Sequence, residues 1–109
     1  MTDVVVIGDG PAGSALAAAC RAVGVDALLV GADDPWTATY GVWADDLDRL
    51  DVLAGENVLA SRHPDIHAWT HRRHRLARPY GVIDNEALRR ALRATTASVD
   101  ARVDRVDVG

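Results

Sequence analysis

Four consecutive β-branched residues, Val4-Val5-Val6-Ile7, run directly into Gly8-Asp9-Gly10-Pro11-Ala12-Gly13. β-Branched side chains favour the pleated form. A continuous apolar run fits a strand covered on both faces, as in a parallel sheet. The glycine-rich turn is followed by an alanine-rich stretch, and a helix is predicted from Ala12 to Val23. Gly24 is placed to close that helix. Val25–Val30 then reads as a second strand. Strand, glycine turn, helix and strand make one βαβ unit, and the right-handed crossover rule makes the two strands parallel.

The spacing Gly8-x-Gly10-x-x-Gly13 is that of the dinucleotide fingerprint. Each glycine has a separate task. Gly8 allows the tight turn, Gly10 leaves room for a pyrophosphate, and Gly13 lets the helix approach the strand. The helix N-terminus offers free N–H donors and partial positive charge. The expected fold is therefore a partial α/β, Rossmann-like FAD/NAD(P)-binding unit. Its candidate cofactor residues are Gly8, Asp9, Gly10, Pro11, Ala12 and Gly13. The pattern also calls for an acid near the end of the second strand, about 20 residues on, to bind a ribose hydroxyl. Here that strand ends in Gly31-Ala32, and the nearest acid is Asp33. Two readings stay open: Asp33 reaches the ribose through a tight loop, or Asp33 and Asp34 are solvated loop residues.

Composition excludes several function classes. The chain has 109 residues, 49% hydrophobic and 26% charged, which is ordinary for one small globular domain. A net charge of −4 argues against a general nucleic-acid binder. A single cysteine, Cys20, leaves no internal disulfide and no cysteine-built zinc site, and it fits a reducing, cytoplasmic setting. No apolar run reaches the roughly 18 residues needed to span a bilayer. The start, Met1-Thr2-Asp3, lacks the basic region of a secretory signal.

Further along, residues 31–43 read as a loop. Ala44–Leu53 spaces Leu47, Leu50 and Leu53 by three and reads as a short amphipathic helix. Arg62–Pro79 reads as an antiparallel hairpin insertion. Asp84 is placed to cap a second clear helix, whose apolar face carries Ala87, Leu88, Ala91 and Leu92. Val99–Val108 alternates apolar and charged residues and reads as a strand, with Ala101–Val103 as the third strand of the parallel core.

Two stretches carry a family resemblance. Trp36-Thr37-Ala38-Thr39-Tyr40-Gly41-Val42-Trp43-Ala44-Asp45-Asp46 resembles the W-x-x-x-Y-G-V-W-x-D-E stretch of plant- and cyanobacterial-type lycopene cyclases. Arg78-Pro79-Tyr80-Gly81 resembles their R-P-Y-G stretch, and Pro11-Ala12-Gly13 is similar to the turn of FAD-dependent enzymes. Order and spacing agree over nearly the whole chain, so the sequence resembles the N-terminal part of a bacterial member. The resemblance implies a bound FAD, active when reduced, with NADPH as a candidate reductant. It implies closure of the ends of linear lycopene into rings by protonation, with no net redox change. The family's acidic E-E-T-like run has no match in residues 1–109, so no catalytic residue is assigned and the segment alone is expected to be inactive. The rival readings are another flavoprotein, of the geranylgeranyl reductase or aromatic monooxygenase type, and a truncated module that binds nucleotide without catalysis.

Several residues have competing readings. Trp36, Tyr40 and Trp43 either shape a ligand pocket or pack against other parts of the protein. Arg62–Arg78 holds five arginines, four histidines and one acid, Asp65. It reads as a solvated hairpin face, with a peripheral contact on anionic lipid as the functional alternative. His63, His67, His71 and His74 have helical spacing, but Pro64 and the strand-like alternation disfavour a helix, so no metal site is assigned. Cys20 is expected to be buried and inert. Ser14 has no His–Asp partners that would make it a nucleophile.

Overall fold

The structure is a computed structural model, and it describes residues 1–108. The opening unit forms as the sequence predicts. Strand β1 (Val4–Ile7) leads through the glycine turn into helix α1 (Pro11–Ala22), and β2 (Ala27–Gly31) follows. β1 and β2 pair in parallel, from Val4 opposite Ala27 to Ile7 opposite Val30. Pro11 occupies the first turn of α1, where a missing N–H costs nothing. Gly24, at φ +82°, follows the helix C-cap and donates its N–H to the Arg21 carbonyl at 3.1 Å. Val6, Ala17 and Leu29 are buried together between α1 and the sheet.

The third parallel strand lies earlier than expected. It is β8 (Ala97–Asp100), paired with β2 from Leu28↔Ala97 to Gly31↔Asp100, and not Ala101–Val103. The sheet order is β1-β2-β8. Alternation continues to Val108, but residues 101–108 form no strand. β2 is only five residues long, so beyond Asp100 it offers no further edge to pair with. Coverage also differs from the two-sided burial expected of β1. Val5 and Ile7 are each more than half exposed, so the sheet face opposite α1 is open.

The segment between β2 and β8 folds into two antiparallel pieces. Strands β3 (Gly41–Trp43), β4 (Leu59–His63) and β7 (Tyr80–Ile83) make a sheet ordered β3-β7-β4. Strands β5 (Ile66–Trp69) and β6 (Arg73–Leu76) make a separate hairpin. The predicted hairpin region, Arg62–Pro79, contains the antiparallel β5–β6 pair and the last two residues of β4, whose partner β7 begins just beyond it. The predicted helix Ala44–Leu53 is divided into α2 (Ala44–Asp48) and a 3₁₀ turn at Asp51–Leu53. A leucine every third residue matches 3.0 residues per turn better than 3.6. Helix α3 (Asn85–Arg93) is capped as expected, the Asp84 carboxylate accepting from the Ala87 N–H at 3.1 Å. Its Leu88 and Leu92 join Ala18, Leu53, Val58 and Ile83 in the larger core. That packing brings α3 against α1 and close to the glycine turn.

The two stretches that carry the resemblance are neighbours in space. β3 pairs with β7, placing Trp43 opposite Tyr80 and Val42 opposite Gly81. The Trp43 and Tyr80 rings meet edge to face, with centroids 5.8 Å apart. Arg78 donates from Nε to both Asp45 oxygens at 3.0 Å and from Nη2 to Asp46 at 3.0 Å, while its guanidinium lies 4.7 Å from the Trp43 ring centroid. Arg78 thereby holds the Asp45 carboxyl below the usual carboxylate range. A side chain at position 41 would collide with the Tyr80 ring, which explains a glycine inside β3.

Candidate functional site at the glycine turn

Gly8 has φ +106°, in the region that L side chains rarely adopt, so the turn off β1 requires glycine. A Cβ on Gly13 would overlap the Gly8 carbonyl oxygen and lie 3.0 Å from its carbonyl carbon. Gly13 therefore sets how closely α1 approaches the strand. A Cβ on Gly10 would meet nothing within 4 Å. This leaves open space beside the backbone at the place where the fingerprint needs it. Pro11 and Ala12 begin α1, whose first turn carries no acid. The free N–H groups of that turn keep their positive end unneutralised from within the helix.

Asp9 is the most connected residue of the turn. Its carbonyl oxygen accepts from Ser14 Oγ at 3.1 Å, Trp36 Nε1 at 3.0 Å and Arg93 Nη2 at 3.1 Å. Its carboxylate Oδ2 accepts from the Asp33 N–H at 2.8 Å and stands 3.2 Å from Arg93 Nη2. Ser14 is fully buried and serves the turn in this way, with no role as a nucleophile implied. Trp36 likewise braces the turn from the loop after β2, and it packs with Tyr40 against the larger core.

Asp33 sits in the loop after β2 with its side chain 54% exposed, which leaves both readings of it from the sequence open. It has φ +59°, and its carboxylate is gripped by Arg89 and by Arg93, the latter at 2.6 Å. A hydrogen bond from Arg93, and then the charge of Arg89, lower its pKa below the ordinary 3.8. Arg89 and Arg93 were not singled out from the sequence. They stand one helical turn apart on α3, on its inward side, with side chains about one-sixth exposed. Only their spacing off the apolar face could have drawn attention to them. The Nε atoms of both are buried without a partner, a cost that a purely apolar contact would avoid.

This ion-pair cluster makes a pH prediction. A carboxylate whose folded pKa is depressed stabilises the fold above its unfolded pKa and loses that contribution as pH falls. The urea midpoint should therefore fall as the solution is taken from pH 5 to below about 4, and Arg93→Gln should flatten part of that fall. Identical pH profiles for the two proteins would contradict the clamp.

A cleft of about 190 Å3 opens beside the cluster, lined by Asp9, Gly31, Asp33, Arg93, Ser98 and Asp100 among others. It lies at the carboxyl ends of the parallel strands, where ligands bind in open α/β sheets. Cys20 is half-buried, not fully buried as expected. His63 contacts Ser61 and His74 contacts Thr70, each at 3.0 Å. Among the described residues no group of three or more His, Cys, Asp or Glu side chains is placed to hold a metal. No helix among them is long and apolar enough to cross a membrane.

A parallel sheet, a crossover helix opening on the three-glycine turn and an antiparallel insertion define a Rossmann-like α/β fold. Solved structures share it. A peptidyl tryptophan dihydroxylase, essential for tryptophylquinone cofactor biogenesis, superposes with a TM-score of 0.61 at 25% identity, over 97% of this chain and 26% of that one. The tetrameric form of 2-methyl-3-hydroxypyridine-5-carboxylic acid oxygenase gives 0.55 at 22% identity, over 88% of this chain and 30% of that one. Residues 3–108 match the family model described as lycopene cyclase protein, and the chain belongs to that family. An uncharacterized carotenoid cyclase of Deinococcus radiodurans is 40% identical over 95 residues, which is 84% of this chain and 22% of the relative. The lycopene beta cyclase of Synechococcus elongatus is 49% identical over 53 residues, 46% of this chain and 13% of its own. Capsanthin/capsorubin synthase of Capsicum annuum is 33% identical over 108 residues, 93% of this chain and 20% of its own. The matches thus cover between 13% and 22% of the length of these relatives.

Proposed function

We propose that this chain is the FAD-binding N-terminal segment of a lycopene β-cyclase. The observation that carries the reading is the turn itself. Gly8 bends the backbone, Gly13 seats α1 on the strand, and Gly10 leaves space beside a first turn of α1 that carries no acid. The residues present fit a pyrophosphate, held by N–H groups of the first turn of α1 and approached through the gap at Gly10. When bound and reduced, with NADPH as a candidate donor, the flavin supplies negative charge that favours cation-forming ring closure of lycopene without net redox change. The chain's own residues bind and orient. Arg89 and Arg93 fix the loop after β2 against the turn, and Trp36 braces the turn from the same loop.

The acid that protonates the substrate is assigned outside residues 1–109, because none of the carboxylates here matches the family's acidic run. Asp45 is engaged by Arg78 and is not available for that task. Enclosing a long carotenoid also needs more chain than this segment has, so the segment alone is proposed to be inactive. The β5–β6 hairpin supports a peripheral contact with anionic lipid at a cytoplasmic membrane face. Trp69 is 71% exposed beside Arg72 and Arg73.

A lycopene-accumulating host expressing the complete reading frame tests the assignment. Ring-bearing carotenoids should appear when its pigments are separated. Unchanged lycopene beside a protein that retains FAD would move the assignment to another class of flavoenzyme.

A further inference from the structure

The strand-end acid that should meet a ribose hydroxyl is replaced by Gly31, yet the space above Gly31 is not empty. A Cβ built there would lie 2.5 Å from both Cβ and Oδ1 of Asp9. The side chain of Asp9 therefore occupies the position that a side chain at the end of β2 would take. It reaches that position from the middle of the glycine turn. Its Oδ2 is already fixed by the Asp33 N–H and by Arg93, and the side chain is 18% exposed. The carboxylate forms part of the wall of the cleft at the carboxyl ends of β2 and β8.

We propose that Asp9 is the ribose-recognition residue of this protein, standing in from the turn for the missing acid at position 31. This rests on the nucleotide-binding reading above and makes it more specific. The two positions exclude each other sterically: an acid at 31 and an aspartate at 9 cannot share the space. A carboxylate can accept from both ribose hydroxyls, whereas a 2′-phosphate in its place would meet negative charge. Arg93 holds Asp9 in place and is a positioning residue for it.

The test uses flavin-stripped protein made from the complete reading frame, with ADP, 2′-deoxy-ADP and adenosine 2′,5′-bisphosphate as calorimetric probes. Wild type should bind ADP about tenfold or more tightly than 2′-deoxy-ADP, as expected for a hydrogen bond to a charged group. Asp9→Ala should reduce that ratio to near one. Gly31→Asp alone should fold poorly because of the overlap. The double variant Asp9→Gly/Gly31→Asp should fold and regain discrimination from the other side of the cleft. It also decides the question if Asp9→Ala proves unstable. Asp100→Asn, which removes another acid of the same cleft, should leave the ratio unchanged.

Equal affinity for ADP and 2′-deoxy-ADP in wild type would overturn the assignment while leaving nucleotide binding intact. So would discrimination retained in Asp9→Ala, discrimination lost in Asp100→Asn, a folded double variant that binds ADP without discrimination, or tighter binding of the 2′,5′-bisphosphate. Folded wild-type protein that binds none of the three probes would overturn the nucleotide reading itself, and this inference with it.

Discussion

Gly13→Ala is expected to unfold much of the protein, although it adds a single methyl group. The added Cβ would overlap the Gly8 carbonyl oxygen, which is backbone and cannot rotate away as a flexible side chain could. The only relief is to lift α1 from β1, and that opens the contact among Val6, Ala17 and Leu29. Overpacking costs about 1–3 kcal/mol and occasionally more, and a collision with backbone puts this site at the upper end. For a domain of this size that corresponds to a fall in Tm of more than about 10 °C. Thermal unfolding followed by circular dichroism measures it. A variant melting within about 2 °C of wild type would show that the helix has slack the geometry does not reveal.

Gly10→Val should behave in the opposite way, sparing the fold and abolishing cofactor retention. Gly10 has φ −70° and an extended ψ, a conformation that valine adopts readily. Its Cβ would meet no protein atom within 4 Å. The cost to the fold is limited to a poorer helix N-cap, about 1 kcal/mol. The isopropyl group would fill the space through which a pyrophosphate approaches, so FAD affinity should fall at least about a hundredfold. Flavin absorbance after gel filtration, read beside the melting curve, separates the two effects. Equal flavin content in variant and wild type would place the pyrophosphate elsewhere. Two glycines three residues apart are thus expected to have separable roles, one in folding and one in binding.

The βαβ unit was legible because its determinants are local. A β-branched run, three glycines at fixed spacing, a proline at the helix start and a glycine after its end each act within a few residues of chain. The cap at Asp84 and the apolar face of α3 belong to the same class, since both are set by helical periodicity. The W-x-x-x-Y-G-V-W and R-P-Y-G stretches were recognisable as separate motifs. Their shared purpose was not, because it consists of β3–β7 pairing and the Arg78 contacts to Asp45, Asp46 and Trp43.

What tertiary structure alone decided involves partners distant in sequence. The alternation of Val99–Val108 marks residues able to form a strand, but a strand extends only as far as its neighbour's hydrogen-bonding edge, and β2 stops at Gly31. Ala44–Leu53 has apolar spacing compatible with more than one helical period, and the chain divides it into α2 and a 3₁₀ turn. Above all, the surroundings of Asp9 and Asp33 depend on Arg89 and Arg93, which lie 56 to 84 residues further along. Their approach to the turn follows from Leu88 and Leu92 burying themselves against the core beside α1. Sequence by itself determined that a glycine turn joins a parallel strand pair through a helix, because backbone sterics and helix capping are short-range. Which carboxylate stands above Gly31, and what holds it there, was settled only by side chains brought together through burial of the apolar faces.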